Sequence, residues 1–219
     1  MAPTAADALL CGDPARALTI AQALLVKPRM SNHNRGLWGY HGETAAGVEL
    51  TVQSTGIGGP SASIVIGELA GLGLRRAIRI GTCAALGDTP PAGTKLVIER
   101  AIASDGTSAA LGAVPGSAVE PDPELTAGIG AGAGVLAAGV LSRDLPPGPE
   151  SDPPPAGVEV GDLQTAAVLI ACARHRIRAA AGLVVGTAGG RRLEDQPLES
   201  RLVELAKIAA AILRGPESL

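Results

Sequence analysis

Three segments that combine glycine with an arginine or a hydroxyl lie within the first 82 residues, each after a short apolar run. They are Gly12-Asp13-Pro14-Ala15-Arg16, Ser54-Thr55-Gly56-Ile57-Gly58-Gly59-Pro60-Ser61 and Arg79-Ile80-Gly81-Thr82. Glycine lets an anion approach backbone N–H groups closely, and arginine presents a planar, permanently charged fork to two phosphate oxygens. These residue types predict an oxyanion site, with phosphate as the best occupant, where strands end at one edge of a sheet.

A tight turn between a strand and a helix is the alternative explanation for the glycines at 56–59, because such turns are common in α/β proteins. Arg16 and Arg79 each lie beside a separate glycine turn, and such a pair is harder to explain as surface charge. This arrangement favours the anion site.

Apolar runs and turn residues predict alternating strands and helices. The predicted strands are 8–11, 36–41, 47–54, 76–82, 94–101, 134–142 and 179–185, and the pair 36–41 and 47–54 flanks a turn at Gly42-Glu43. The predicted helices are 14–25, 60–72, 163–176 and 200–213. In helix 60–72 we expect Ile64, Leu69 and Leu72 to face inward. The alternation predicts a mostly parallel sheet covered by helices, and the proline-rich stretch 146–155 is typical of a surface loop.

Composition and charge exclude several classes of function. The net charge of −3 offers no basic surface for nucleic acid. No stretch of about 20 uncharged apolar residues is present, so we expect no membrane span. The first residues carry no basic flank ahead of an apolar core, so we expect no signal peptide. Neither HExxH nor CxxC occurs, and the three histidines are not spaced like metal ligands, so we expect no metal.

The three cysteines are Cys11, Cys83 and Cys172, scattered in apolar runs. This pattern predicts buried, reduced thiols in a cytoplasmic protein. Cys83 follows Thr82, but no base neighbours it in the sequence, so a role as catalytic nucleophile is disfavoured.

The aromatic residues are Trp38 and Tyr40, and the chain contains no Phe. The core must therefore consist of Ala, Val, Leu and Ile. Both aromatics lie close to Arg35, and aromatic residues and arginine are enriched at interface cores. We therefore expect the segment around Arg35 to pack between subunits.

Together these segments resemble the purine nucleoside phosphorylase and uridine phosphorylase superfamily, most closely its uridine phosphorylase branch. The resemblance rests on Gly-Asp-Pro-x-Arg at 12–16, Asn34-Arg35-Gly36 ahead of Gly39-Tyr40-x-Gly42, the block 54–63, Glu68-Leu69-x-x-Leu72-Gly73, Arg79-Ile80-Gly81-Thr82 and Asp105-Gly106-x-Ser108. It runs from about residue 9 to 108 and resumes from about 158 to 188, and the run 54–82 is its most specific part. It implies one domain over 1–219, with a three-layer α/β fold and a mixed, largely parallel central sheet covered by helices.

The resemblance also implies roles for individual residues. Phosphate would be bound by Gly12, Arg16, Arg79 and Thr82, and by Arg35 lent from a neighbouring subunit. Arg79 and Gln164 would be catalytic, and the nucleoside would contact Cys83, Ala84, Arg143, Asp162, Leu163 and Gln164. The partners would be a nucleoside or nucleotide and inorganic phosphate as co-substrate, without a cofactor, in a homodimer or homohexamer. Relatives that use water generally lack this arginine set, so the set favours phosphorolysis.

The second half departs from the family pattern. Where relatives carry a Met-Glu pair whose glutamate grips the ribose hydroxyls, this chain has Leu163-Gln164, and the glutamine is uncharged. Asp162 is positioned to compensate, or else caps a turn or helix. The stretch 184–188 lacks the carboxylate that protonates a purine. The loop after residue 142 is short and lacks glutamine, leaving Arg143 for base recognition or as a solvated charge.

We therefore expect a divergent nucleoside phosphorylase, acting on an ordinary nucleoside, an unusual one or a nucleotide. No histidine precedes Gly12 to contact the ribose 5′-hydroxyl, which leaves room for a 5′-phosphate. An inactive paralogue that binds phosphate or a nucleoside is one alternative, and a nucleoside hydrolase is another.

Overall fold

The computed structural model describes residues 4–146 and 154–214. The strands of this part are β1 (Asp7–Cys11), β2 (Leu25–Asn32), β3 (Gly39–Thr44), β4 (Glu49–Ser54), β5 (Arg76–Ala85), β6 (Lys95–Ser104), β7 (Ala118–Val119), β8 (Val135–Arg143), β9 (Val160–Asp162), β10 (Arg178–Ala188) and β11 (Arg191–Arg192). The helices are α1 (Pro14–Leu24), α2 (Gly58–Gly71), α3 (Gly106–Ala110), α4 (Pro123–Gly130), α5 (Thr165–Arg174) and α6 (Asp195–Ile212), with a 3₁₀ turn at Asn34–Gly36.

Strand β5 lies at the centre of one mixed sheet. It pairs in parallel with β1 and β10, and β1 pairs in parallel with β4. Strands β4, β3 and β2 form an antiparallel arm that ends at β2. On the other side, the pairings β5–β9, β9–β8, β8–β6, β6–β10 and β10–β5 close into a ring. The ends of β1 and β5 therefore lie beside a closed, curved part of the sheet.

Helices cover the sheet on both faces. Helices α1, α4 and α6 contact one another on one face, and α2, α3 and α5 do so on the other. Each face has its own apolar cluster, built almost entirely of Ala, Val, Leu and Ile. This confirms the three-layer α/β fold and the aliphatic core that the composition required. Among the described helices, none is both long and apolar enough to cross a membrane.

Several predicted boundaries need correction. Gly42-Glu43, predicted as a turn, lies within β3, and the sequence missed α3, α4, β2 and the short strands β7, β9 and β11. The prediction that Ile64 and Leu72 face inward is wrong, since they are 68% and 63% exposed. Helix α2 is apolar on several sides, so its periodicity does not single out the buried face. That face contains Gly59, Ala62, Val65, Ile66 and Leu69. Residues 147–153 of the predicted surface loop 146–155 lie outside the described residues.

Candidate functional site

A cavity of about 950 Å³ opens where β1 and β5 end, between the glycine-rich loop before α2 and the start of α5. Its wall includes every residue that the sequence analysis placed in a site. They are Gly12, Arg16, Arg35, Arg79, Thr82, Cys83, Ala84, Arg143, Asp162, Leu163 and Gln164. Residues as far apart in the chain as Gly12 and Gln164 therefore line one cavity.

The first corner of the cavity is built at the N-terminus of α1. Asp13 accepts a hydrogen bond from the Arg16 backbone N–H at 2.9 Å, and Pro14 occupies the first turn, so the helix begins directly after β1. The Arg16 Nη1 atom lies 3.4 Å from Thr82 Oγ1. A helix N-terminus, a guanidinium and a hydroxyl thus converge at one point. That combination can hold an oxyanion.

Arg79 is buried deeply beside this corner. It is 5% exposed, and it donates from Nε to Thr165 Oγ1 at 2.9 Å, from Nη1 to Gln164 Oε1 at 2.6 Å and from Nη2 to Asp162 Oδ2 at 2.8 Å. Three of its five N–H donors are therefore occupied, which leaves two for a ligand.

Gly81 explains how the Arg79 side chain fits beside its own strand. A Cβ atom at position 81 would lie 2.7 to 2.8 Å from the guanidinium atoms of Arg79. The two residues share one face of β5, because side chains alternate along a strand. The sequence Arg-x-Gly thus provides room for the guanidinium to lie over the backbone.

Asp162 has both carboxylate oxygens engaged. Oδ1 accepts from Ser142 Oγ at 2.7 Å, and Oδ2 accepts from Arg79 and from Thr165 Oγ1 at 2.6 Å. The Thr165 backbone N–H, at the start of α5, also points at this carboxylate from 3.1 Å. Asp162 therefore pairs with Arg79 and also accepts from the first backbone N–H of α5.

Gln164 joins the glycine-rich loop to β5. Its Oε1 accepts from Arg79 and from Thr55 Oγ1, while its Nε2 donates to the carbonyl oxygens of Gly56 and Gly58, each at 3.1 Å. Gly56 and Gly58 have φ values of +74° and +79°, which favour glycine. Within this structure a sugar hydroxyl would have to replace one of the existing bonds in order to reach Gln164.

Cys83 lies on the wall but is protonated. Burial, and secondarily the negative charge of Asp162, raise the pKa of the Cys83 thiol well above its usual range. Its Sγ lies 3.7 Å from the Val184 carbonyl oxygen. A neutral thiol without a base agrees with the expectation that Cys83 is not a nucleophile.

Arg35 and Arg143, two further predicted site residues, are held by fewer contacts than Arg79. Arg35 is exposed, lies in the 3₁₀ turn with a φ of +55°, and lines the cavity of its own chain. Such a backbone conformation is uncommon outside glycine and is enriched at functional sites. Arg143 is half-buried at the end of β8, and its guanidinium has no hydrogen bond or ion pair in the described part of the chain.

Sequence reasoning missed Arg192, which lines the same cavity. It lies on β11 and donates from Nη2 to Asp195 Oδ1 at 3.0 Å. A signal was present, since Gly189-Gly190-Arg191-Arg192 repeats the association of glycine with arginine seen at the first site segment. Thr187 and Leu198 are further wall residues that the sequence did not single out.

No group of three or more His, Cys, Asp or Glu side chains is placed to hold a metal ion in residues 4–146 and 154–214. The polar wall consists mainly of arginine, hydroxyl and amide donors. Its chemistry suits an anion better than a cation.

Comparison with known proteins agrees with the α/β fold. Uridine phosphorylase from Vibrio fischeri ES114 superposes with a TM-score of 0.84 over 96% of this chain and 92% of that protein, at 22% identity. The profile of the Phosphorylase superfamily matches residues 7–148. The chain belongs to the phosphorylase superfamily.

Two curated relatives illustrate the sequence similarity. A DeoD-type purine nucleoside phosphorylase from Oceanobacillus iheyensis is 46% identical over 79 residues, covering 36% of this chain and 33% of the relative. A uridine phosphorylase from Treponema pallidum is 40% identical over 121 residues, covering 55% of this chain and 46% of the relative. The matches thus span between a third and a half of each curated relative.

Proposed function

We propose that this chain is a divergent nucleoside phosphorylase, a pentosyltransferase that cleaves an N-glycosidic bond with phosphate to give a free base and a sugar 1-phosphate. The observation that carries the proposal is the meeting, in one cavity, of the Arg16–Thr82 corner with residues 162–164, which begin at the last residue of β9. An anion corner beside a sugar-sized space is what phosphorolysis needs.

In this proposal phosphate binds at the N-terminus of α1, held by Gly12, Arg16 and Thr82 and by the two remaining N–H donors of Arg79. One phosphate oxygen forms a bond to the anomeric carbon as the carbon–nitrogen bond breaks. The electron pair of that bond leaves with the base. The phosphate dianion stabilises the oxocarbenium-like sugar electrostatically, and the fixed arginines align it for attack.

Asp162 and Gln164 act mainly on Arg79 in this mechanism. Both accept hydrogen bonds from its guanidinium, so they determine where its remaining donors point. Gln164 contacts the sugar only by exchanging one existing bond for a hydroxyl. The proposed catalytic pair is therefore Arg79 at the phosphate and Gln164 beside the sugar, with Cys83, Ala84, Leu163 and Arg143 lining the nucleoside space.

The same engaged contacts favour a second candidate, an inactive paralogue that binds phosphate or a nucleoside. Both oxygens of Asp162 and the Oε1 atom of Gln164 already accept hydrogen bonds. A neutral sugar therefore meets few free acceptors on this side of the cavity.

A nucleoside panel with and without phosphate separates the candidates. The proposed enzyme releases base and forms sugar 1-phosphate only when phosphate is present, and Arg79→Ala abolishes both the release and phosphate binding. Base release without phosphate identifies a hydrolase. Phosphate binding by calorimetry with no release from nucleosides or nucleoside 5′-phosphates identifies the inactive paralogue.

We further propose a single domain over 1–219 that functions in the cytoplasm as a homodimer or a homohexamer. The three buried free cysteines support a reducing compartment. The exposed, positively charged Arg35 at the cavity rim supports a site shared between subunits.

A further inference from the structure

One row of paired residues crosses five strands of the sheet and forms a wall of the cavity. The row is Leu141 on β8, Gly161 on β9, Ala84 on β5, Thr187 on β10 and Arg192 on β11. Each of these residues lines the cavity. Neighbouring strands lie about 4.8 Å apart, so the row spans at most about 19 Å before curvature shortens it.

This row lies just beyond the proposed phosphate corner. Ala84 follows Thr82 by two residues on β5, a rise of about 7 Å. A pentose fits within that separation. The row is therefore the surface that faces the aglycone, the group attached to the anomeric carbon.

An arginine stands at each end of the row. Arg192 is its last member, and Arg143 follows Leu141 by two residues on the same face of β8. Arg143 has no ion pair among the described residues, and the Arg192–Asp195 pair is 73% and 79% exposed. The Arg143 guanidinium is therefore available to a ligand in the middle of the row, and the Arg192 guanidinium offers the N–H donors that do not bind Asp195.

The cavity wall has no free acid in its described part. Asp13 and Asp162 are its carboxylates there, and they cap α1 and hold Arg79 respectively. Five arginines and two aspartates line the wall, and Asp195 pairs with Arg192 from outside it. A bound phosphate dianion offsets the charge of the arginines at the corner, whereas Arg143 keeps no acidic partner among the described residues.

We propose that the aglycone carries a negative charge of its own, as a carboxylated pyrimidine does, and that Arg143 and Arg192 recognise it. The inference deepens the proposed function by naming the class of substrate, and it rests on that function for the sugar and phosphate positions. When the carbon–nitrogen bond breaks, its electron pair moves onto the base, and the two guanidinium groups offset the added charge. The base takes its proton from solvent after departure.

Calorimetry with orotate and uracil, which differ by one carboxylate, tests the proposal while phosphate is saturating. We expect orotate to bind at least about tenfold more tightly than uracil, and Arg143→Gln or Arg192→Gln each to remove about tenfold of that preference. Phosphate binding stays unchanged in both variants, because neither arginine belongs to the proposed phosphate corner, and this control shows that the fold is intact. Arg143→Lys retains part of the preference, because the charge remains but the planar fork is lost.

Equal binding of the two bases, or a preference that survives the Arg143→Gln/Arg192→Gln double variant, overturns the proposal. The proposal is also overturned if uridine 5′-phosphate binds more tightly than uridine while orotate binds no more tightly than uracil. In that case the negative charge of the substrate, besides that of phosphate, lies on the sugar. Free-base binding requires no bond cleavage. If orotate binds but orotidine is not cleaved, the proposed phosphorylase activity is contradicted and this inference stands. If uridine is cleaved but orotate does not bind, the inference is contradicted and the phosphorylase activity stands.

Discussion

Arg79 connects two segments that are distant in sequence. Its guanidinium contacts Asp162, Gln164 and Thr165, more than 80 positions further along the chain, yet it emerges from β5 beside the α1 corner. Because a buried ion pair is costly to leave half-made, the partners constrain its position strongly. The proposed phosphate corner and the proposed sugar side are thus mechanically one unit.

Replacing Gly81 with Ala should disturb that unit specifically. The new methyl group would lie 2.7 to 2.8 Å from the Arg79 guanidinium and push it off its partners. We expect phosphate affinity to fall by about tenfold or more, as for loss of a charge-assisted bond. Gly186→Ala is the matched control, since its Cβ would meet neighbours at 3.7 Å or more on the same cavity wall. Equal phosphate affinity in the two variants would show that Arg79 does not bind phosphate.

The buried thiols should make stability depend on alkaline pH. Burial raises the pKa of Cys11 and of Cys172 from 9.0 to about 12. The folded state therefore keeps protons that the unfolded chain releases above pH 9, so stability is full below pH 9 and falls as the pH rises toward 12. Each thiol contributes a slope of about 1.4 kcal/mol per pH unit in that window.

Urea unfolding of the parent and of Cys172→Ala between pH 8 and about 11 measures this slope. The variant loses stability at every pH, because a buried side chain is truncated, but its decline above pH 9 should be shallower. Parallel declines in the two proteins would contradict the prediction.

At the scale of elements, the side chain of Gln164, directly before α5, holds the glycine-rich loop 55–58. Gln164 donates to the carbonyls of Gly56 and Gly58, and these residues need positive φ. The loop's shape is therefore set jointly by glycine's freedom and by one amide. This explains why the chain carries an uncharged residue at this position.

Gln164→Glu replaces a donor with an oxygen that faces two carbonyl oxygens at 3.1 Å. We expect it to lower the free energy of unfolding by about 1–3 kcal/mol at neutral pH and to loosen the loop. Gln196→Glu on exposed α6 is the control and should change stability little. A Gln164→Glu protein as stable as the parent, with increased uridine turnover, would favour a direct role at the ribose.

For the whole molecule, the exposed apolar face of α2 bears on assembly. Ile57, at its N-terminus, is 81% exposed, and Ile64 and Leu72 are also exposed. A helix that is apolar all round is usually covered. Leu37, two residues after Arg35, lies close to Gly56, just before the helix begins. We propose that α2 and the segment from Arg35 to Leu37 form one interface between subunits.

Mixing two inactive variants tests whether Arg35 is lent. Suppose that each site combines Arg79 of one subunit with Arg35 of its partner. When the Arg35→Ala and Arg79→Ala proteins are mixed and their subunits exchange, about half of the dimers contain one subunit of each variant, and each of these has one complete site of two. The mixture should then regain about a quarter of the parent activity. We expect this recovery, and we expect Ile64→Lys to weaken the dimer in sedimentation. No recovery in confirmed mixed dimers would show that Arg35 serves the cavity of its own chain, which it also lines.

The sequence alone predicted the fold class, and the eleven residues that it proposed for a site line one cavity. Glycine followed by arginine is a local signal, and strand ends bring such signals to one edge. What it could not supply were the partners of Arg79, since Asp162 and Gln164 meet it only through the pairing of β9 with β5. Arg192 was missed because β11 has two residues, and its place depends on pairing with β10.

Strand β2, the last strand of the open arm, limits how copies of this protein can combine. It contains Lys27, Pro28 and Arg29, Lys27 has a φ of +50°, and its register with β3 shifts between Val26 and Arg29. Proline removes a hydrogen-bond donor, while charge and bulges discourage another strand from adding to the edge. Copies of the chain should therefore meet through side-chain surfaces. The β2 edge therefore gives the sheet no tendency to extend into fibres.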